Sequence, residues 1–172
     1  MDIGSNGPFV VDVSDDHIEY CKRLAKDRSS SAGWRADPAA GERGVIVEFA
    51  FQEFHECFRG QFNGRIMARG DGGVDYFTPL NNGIDVKGSL PESRWLLING
   101  HTVRNPSSDI FVFGRWFADS ARVTFDGWIL ESEFQKIAKK DPFNKKSDNY
   151  GCWASSLQPM EVLRGSISRS LL

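Results

Sequence analysis

The stretch RGDGGVDYFTPLNNGIDVKGS, residues 69–89, decides the fold because it reads as a β-hairpin with charged side chains on one face. Its turn is predicted at the segment PLNNG, since proline, asparagine and glycine favour turns. Successive side chains of a strand point to opposite faces, so Asp85 and Lys87 share one face and Ile84 and Val86 share the other. The apolar pair is therefore expected to face a core.

Asp75 on the first arm of the hairpin and Asp85 on the second are candidate metal ligands. Two carboxylates that a hairpin brings together repel each other unless a cation lies between them. Hard oxygen ligands of this kind suit Mg²⁺ or Mn²⁺. Lys87 follows Asp85 by two residues and lies on the same face of the strand. Two carboxylates that hold a divalent ion beside a lysine are suited to hydrolysing a phosphodiester. The alternative is a solvated hairpin with a surface Asp–Lys pair, because D-x-K often occurs by chance.

The composition indicates one domain over residues 1–172 with a substantial core, which 13 Phe and 5 Trp help to fill. The net charge of −2 does not by itself indicate nucleic-acid binding. The charge is uneven, however, with 7 Lys/Arg against 11 Asp/Glu in residues 1–60, and 7 against 3 in residues 134–172. The basic end either contacts phosphates or is a scattered solvated face.

The three cysteines, Cys21, Cys57 and Cys152, are widely spaced and odd in number. This argues against a disulfide framework or a zinc site and favours a reducing compartment. No apolar run approaches the roughly 18–20 residues of a membrane span, and the N-terminus lacks the pattern of a signal peptide. We therefore expect a cytoplasmic protein that has no membrane partner.

The order of predicted elements favours an α/β fold in which helices flank a central mixed β-sheet. Helices are predicted at residues 14–28, 42–58, 131–140 and 156–168, the first and last being outer helices, with a loop at 29–41. Besides the hairpin, strands are predicted at residues 65–69, 95–99, 109–116, 123–130 and 150–154. Glu48 lies next to the apolar side of the helix over 42–58, so it either reaches a site at the end of the sheet or flanks the core.

Three segments, GVIVEFA (44–50), GDGGVD (70–75) and IDVKG (84–88), resemble the PD-(D/E)XK nuclease superfamily. The restriction-endonuclease-like fold of that superfamily has a helix followed by a three-stranded meander. The third segment is the most specific, because it is a buried-looking strand with Asp-x-Lys ten residues after another Asp. The resemblance covers roughly residues 41–135.

The resemblance implies that Asp75 and Asp85 ligate a catalytic Mg²⁺ or Mn²⁺ and that the carbonyl of Val86 completes the shell. It also implies that Lys87 positions or activates the attacking water, and that Glu48 binds the metal through water or holds that water. No proline precedes Asp75, and Asp71 is a competing assignment, although its place in Gly-Asp-Gly-Gly favours a turn residue.

The function expected from this resemblance is a metal-dependent DNA nuclease, an endonuclease that acts as a homodimer. The alternative is a catalytically inactive nuclease-fold module that acts in nucleic-acid binding or protein assembly. A Ser or Cys hydrolase is disfavoured, because the chain has no G-x-S-x-G motif. The five tryptophans are candidates for base stacking, but core packing explains most of them better.

Overall fold

The computed structural model describes residues 8–32, 37–54, 73–140, 143 and 147–169, and within these ranges it leaves out the side chains of 30–32 and 165–169. The helices are α1 (Asp15–Ala32), α2 (Pro38–Phe54), α3 (Gly100–Arg104), α4 (Glu131–Ile137) and α5 (Met160–Arg169). The strands are β1 (Phe9–Asp12), β2 (Tyr76–Phe77), β3 (Gly83–Ser89), β4 (Trp95–Asn99), β5 (Ile110–Phe117), β6 (Arg122–Leu130), β7 (Lys139–Lys140) and β8 (Asn149–Trp153).

The predicted central mixed sheet flanked by helices is confirmed. Its five strands lie in the order β1-β6-β5-β3-β2, and β3 runs parallel to β5 while the other neighbours are antiparallel. The predicted hairpin corresponds to β2 and β3, with Tyr76 opposite Ile84. None of the helices within the described ranges combines the length and the apolar character that crossing a membrane requires.

A second, three-stranded sheet in the order β4-β8-β7 is the main difference from the expected architecture. The strand over 95–99 has the predicted bounds, but it pairs with β8 instead of joining the central sheet. The helix predicted over 131–140 ends at Ile137, and Lys139 and Lys140 form β7 against β8. Lys139 and Lys140, the last two residues of the predicted helix, are therefore strand residues of this second sheet.

The bounds of the outer helices also differ from the prediction. Ser14 caps α1 as expected, since its Oγ accepts the amide of His17 at 3.4 Å, but the helix continues to Ala32 instead of ending at 28. The closing helix begins at Met160 rather than at 156, because a short 3₁₀ turn, Ala154–Ser156, and Pro159 precede it.

Helix α2 begins four residues earlier than predicted, at Pro38. Asp37 is its N-cap, because its Oδ1 accepts the amide of Ala39 at 3.1 Å. Proline suits the first helical position, where no intrahelical N–H bond is lost. The predicted end of this helix, at residues 55–58, lies outside the described residues.

The two faces of the central sheet are covered by different elements. Ile84 and Val86 are buried in a cluster with apolar residues of α1 and α2. Phe111 and Phe113 of β5 belong to a second cluster, which includes Leu96, Ile98 and Cys152 of the second sheet and Phe134 of α4. The predicted burial of the apolar hairpin residues is thus confirmed, and the second sheet covers the opposite face.

Helix α2 lies unusually close to the central sheet at a pair of glycines. Gly88 of β3 and Gly114 of β5 are register partners. A Cβ at Gly114 would lie 2.5 Å from Cγ1 of Val47, and a Cβ at Gly88 would lie 2.9 Å from the carbonyl oxygen of Arg43. The missing side chains therefore permit the helix to rest directly on the strands.

We predict that Gly114→Ala lowers the free energy of unfolding by about 1–3 kcal/mol, because the added methyl group overpacks the contact with Val47. Urea denaturation measures the change. Gly41→Ala in α2 is the matched control, since no atom lies within 4 Å of its added Cβ. That substitution is expected to stabilise the protein by roughly 0.5–1 kcal/mol. Equal effects at the two glycines would contradict the close approach.

Candidate acid and lysine site

Strand β3 presents Asp85 and Lys87 on the face opposite α2. Their register partners on the parallel strand β5 are Phe111 and Phe113, which face the second cluster. Asp85 is only 2 % exposed, and its Oδ2 lies 2.7 Å from Nζ of Lys87. One third of the Lys87 side chain remains exposed. A buried carboxylate is thus paired with an ammonium group that reaches the surface.

The carboxylate of Asp75 lies beside the backbone of the same strand. Its Oδ2 accepts the amide of Val86 at 2.6 Å, and the amide of Asp75 donates to the carbonyl of Ile84 at 2.8 Å. Asp75 therefore contacts the peptide unit that joins Asp85 to Val86. The hairpin brings the two predicted acids to adjacent positions, as the sequence indicated.

Glu48 approaches the hairpin from α2. Its Oε2 accepts Nη1 of Arg28 at 2.9 Å, and both side chains are largely buried. Its backbone carbonyl accepts the hydroxyl of Tyr76 at 2.6 Å. Because Tyr76 follows Asp75 directly, this hydrogen bond fixes the start of β2 against α2 at the position of Glu48.

The negative charges of all three predicted acids affect the pKa of Lys87. Burial by itself lowers the pKa of Lys87, but its contact with Asp85 and the negative charges of Asp75 and Glu48 more than offset this effect. The pKa of the ammonium group consequently lies above its ordinary value. Burial, then the charges of Asp75 and Glu48, likewise raise the pKa of Tyr76. Asp85 contacts Lys87 directly, whereas Asp75 and Glu48 act on it only through their charges.

The fit of this site to a divalent ion depends on its donors. Among the residues that the structure describes, no group of three or more His, Cys, Asp or Glu side chains is arranged to hold a metal. Mg²⁺, however, is commonly held by one or two carboxylates together with substrate phosphates. Asp75 and Asp85 have this chemistry, and they are the residues that would hold the ion, with the carbonyl of Val86.

Sequence reasoning missed two residues of the site, Arg28 and Tyr76. Arg28 is the last residue of the predicted helix over 14–28, and its contact with Glu48 depends on how α1 packs on α2. No local pattern contains that information. The alternation of the hairpin predicted that Ile84 is buried. Because Tyr76 lies opposite Ile84, the same alternation could have predicted that Tyr76 faces α2.

No protein-family model matches this chain. The chain also has no match among curated proteins. Membership of the PD-(D/E)XK superfamily and the restriction-endonuclease-like form of the sheet therefore stay predictions. The first strand of the expected meander, residues 65–69, and the competing acid Asp71 lie outside the described residues.

We predict that Asp85 and Lys87 are energetically coupled. A double-mutant cycle with Asp85→Asn and Lys87→Met, measured by urea denaturation, is expected to give a coupling energy of about 1–3 kcal/mol. The reason is that removing one partner leaves a charge in a largely apolar region.

The matched control is the ion pair between Arg122 and Asp12, which has the same separation of 2.7 Å but lies exposed on the surface. Its cycle is expected to give about 0.2–1 kcal/mol. A coupling energy at Asp85 and Lys87 no larger than that of the control would contradict the described ion pair.

Proposed function

We propose that this chain is a metal-dependent DNA nuclease that hydrolyses phosphodiester bonds as an endonuclease. The observation that carries the proposal is the 2.7 Å contact between Lys87 and the buried Asp85, with the carboxylate of Asp75 bonded to the amide between them. A lysine and two carboxylates gathered on one hairpin are the groups that this reaction needs.

Each residue has a distinct role in the proposed reaction. Asp75 and Asp85 would hold Mg²⁺ or Mn²⁺, an ion that supplies Lewis-acid chemistry to the phosphate and acidifies water. Lys87 keeps its proton at neutral pH because its pKa is raised, so it donates to the phosphate or to the attacking water and offsets negative charge. Glu48 would bind the ion through water or hold the attacking water, and the 2.9 Å contact with Arg28 orients its carboxylate.

DNA as the substrate and a homodimer as the active form are further parts of the proposal. They rest on the resemblance to the nuclease superfamily and on the basic character of residues 134–172. A dimer places two such sites on opposite strands of a duplex. Light scattering that finds only a monomer under assay conditions would contradict this part.

The second candidate is a nuclease-fold module without hydrolysis. The observation that favours it is that Lys87 and Arg28 already pair with Asp85 and Glu48, and that the described residues contain no three-acid metal group. Calorimetry with Mn²⁺ separates the two candidates. Binding that Asp75→Ala abolishes supports the nuclease, whereas a folded protein that binds no Mn²⁺ supports the module.

We predict that the wild-type protein nicks or linearises supercoiled plasmid in Mg²⁺ or Mn²⁺. Asp85→Asn and Lys87→Ala are expected to slow the cleavage by at least about 10²–10³-fold, because each removes a group that contacts the reacting phosphate or its ion. Asp12→Asn, which changes an exposed acid of the surface ion pair, is the control and should cleave at the wild-type rate. Equal cleavage by all the variants would overturn the assignment.

A further inference from the structure

The outer face of the second sheet carries a cluster of aromatic rings, of which Trp153 and Phe143 are exposed and Trp95 is partly buried. The antiparallel register places Trp95 opposite Trp153, and their ring centroids lie 4.2 Å apart at an interplanar angle of 36°. Phe143 packs edge-on against Trp95, with 5.7 Å between the centroids. Half of the surface of Trp153 and 71 % of Phe143 are exposed. We call these three residues the aromatic platform.

The platform faces away from the central sheet. Leu96 and Cys152 point inward and pack in the same cluster as Phe111 and Phe113 of β5. Trp95 and Trp153, one position away along each strand, therefore lie on the opposite face of the second sheet. This face is distinct from the one that packs against the central sheet.

A row of three register partners, which ends at a lysine, lies next to the platform on the same face of the second sheet. The register aligns Leu97, Gly151 and Lys139 across the three strands. Leu97 lies over Gly151, because a Cβ at that glycine would be 2.6 Å from Cδ2 of Leu97. The glycine thus leaves the surface flat between the rings and the lysine.

The charge beside the platform is positive. Lys139 is exposed, and it forms no ion pair with any described residue, whereas Lys140, the next residue of β7, points to the opposite face. In the sequence, residues 134–172 contain 7 Lys/Arg against 3 Asp/Glu. A purely apolar partner would have to desolvate the ammonium group of Lys139 without pairing it, which costs free energy. The complementary partner is a polyanion that also has flat aromatic surfaces.

We propose that the aromatic platform binds the unpaired bases of a single-stranded nucleic acid, while Lys139 contacts its phosphates. Bases stack on exposed aromatic side chains irrespective of sequence, and cationic side chains beside them follow the backbone. This binding needs neither a metal nor hydrolysis, so it does not rest on the proposed nuclease activity. Within that activity, the platform would hold a single-stranded region on a different face from the site of cleavage.

The test is fluorescence anisotropy with a labelled oligothymidylate of about 16 nucleotides, in EDTA so that no metal-dependent cleavage occurs. Trp153→Leu keeps an apolar side chain but removes the ring, and it is expected to weaken binding about 5- to 150-fold. Trp153→Phe keeps a ring and is expected to bind more tightly than Trp153→Leu. Lys139→Ala should reduce the slope of log affinity against log salt by about 0.7.

The controls lie on α1, where Tyr20 is 40 % exposed and Lys26 is also exposed. Tyr20→Leu and Lys26→Ala should bind like the wild type. The proposal is overturned by any of the following results: no saturable binding, wild-type affinity in Trp153→Leu, an equal loss in the controls, or equal affinity for duplex DNA. It is also overturned if Trp153→Leu only converts a dimer into a monomer, because the face would then belong to a second copy.

The two proposals fail separately in these experiments. Oligonucleotide binding without any plasmid cleavage would overturn the nuclease alone. Cleavage that depends on Asp85, in a protein whose Trp153→Leu variant binds the oligonucleotide normally, would overturn the platform alone.

Discussion

The ion pair between Asp85 and Lys87 is the constraint around which the centre of this molecule is built. Asp85 is buried on a strand between two apolar clusters, where an uncompensated carboxylate would be strongly destabilising. Lys87 supplies the compensating charge and still reaches the surface with one third of its side chain. Burying a carboxylate costs free energy of desolvation, and such buried charges are concentrated at functional sites. For this reason the hairpin is the centre of the proposed chemistry.

Local patterns in the sequence predicted the elements whose contacts are local. The alternation in β3 correctly separated its charged and apolar faces, and the strand predicted over 109–116 corresponds to β5. The second sheet was missed because β4 pairs with β8, more than 40 residues away, and periodicity contains no information about such a partner. The start of α2 was missed although Asp37 and Pro38 form a recognisable N-terminal signal.

The same distinction between local and long-range contacts applies to the residues of the site. Asp75, Asp85 and Lys87 were found from the sequence because one hairpin holds them, and their spacing alone predicts their proximity. Arg28 was not found, because it reaches Glu48 only through the packing of two helices. The aromatic platform also depends on a long-range register, which brings Trp95 and Trp153 into contact and leaves Trp153 half-exposed. The chemical roles of all these residues remain predictions.

The central claim is that a divalent ion is held by Asp75 and Asp85 beside the amide of Val86. The most direct measurement is the broadening of backbone amide NMR signals by Mn²⁺. We expect low concentrations of Mn²⁺ to broaden the Val86 signal and its neighbours first, and we expect Asp75→Asn combined with Asp85→Asn to abolish this effect while the protein stays folded. Broadening confined to other parts of the chain, or unchanged in the double variant, would contradict the claim.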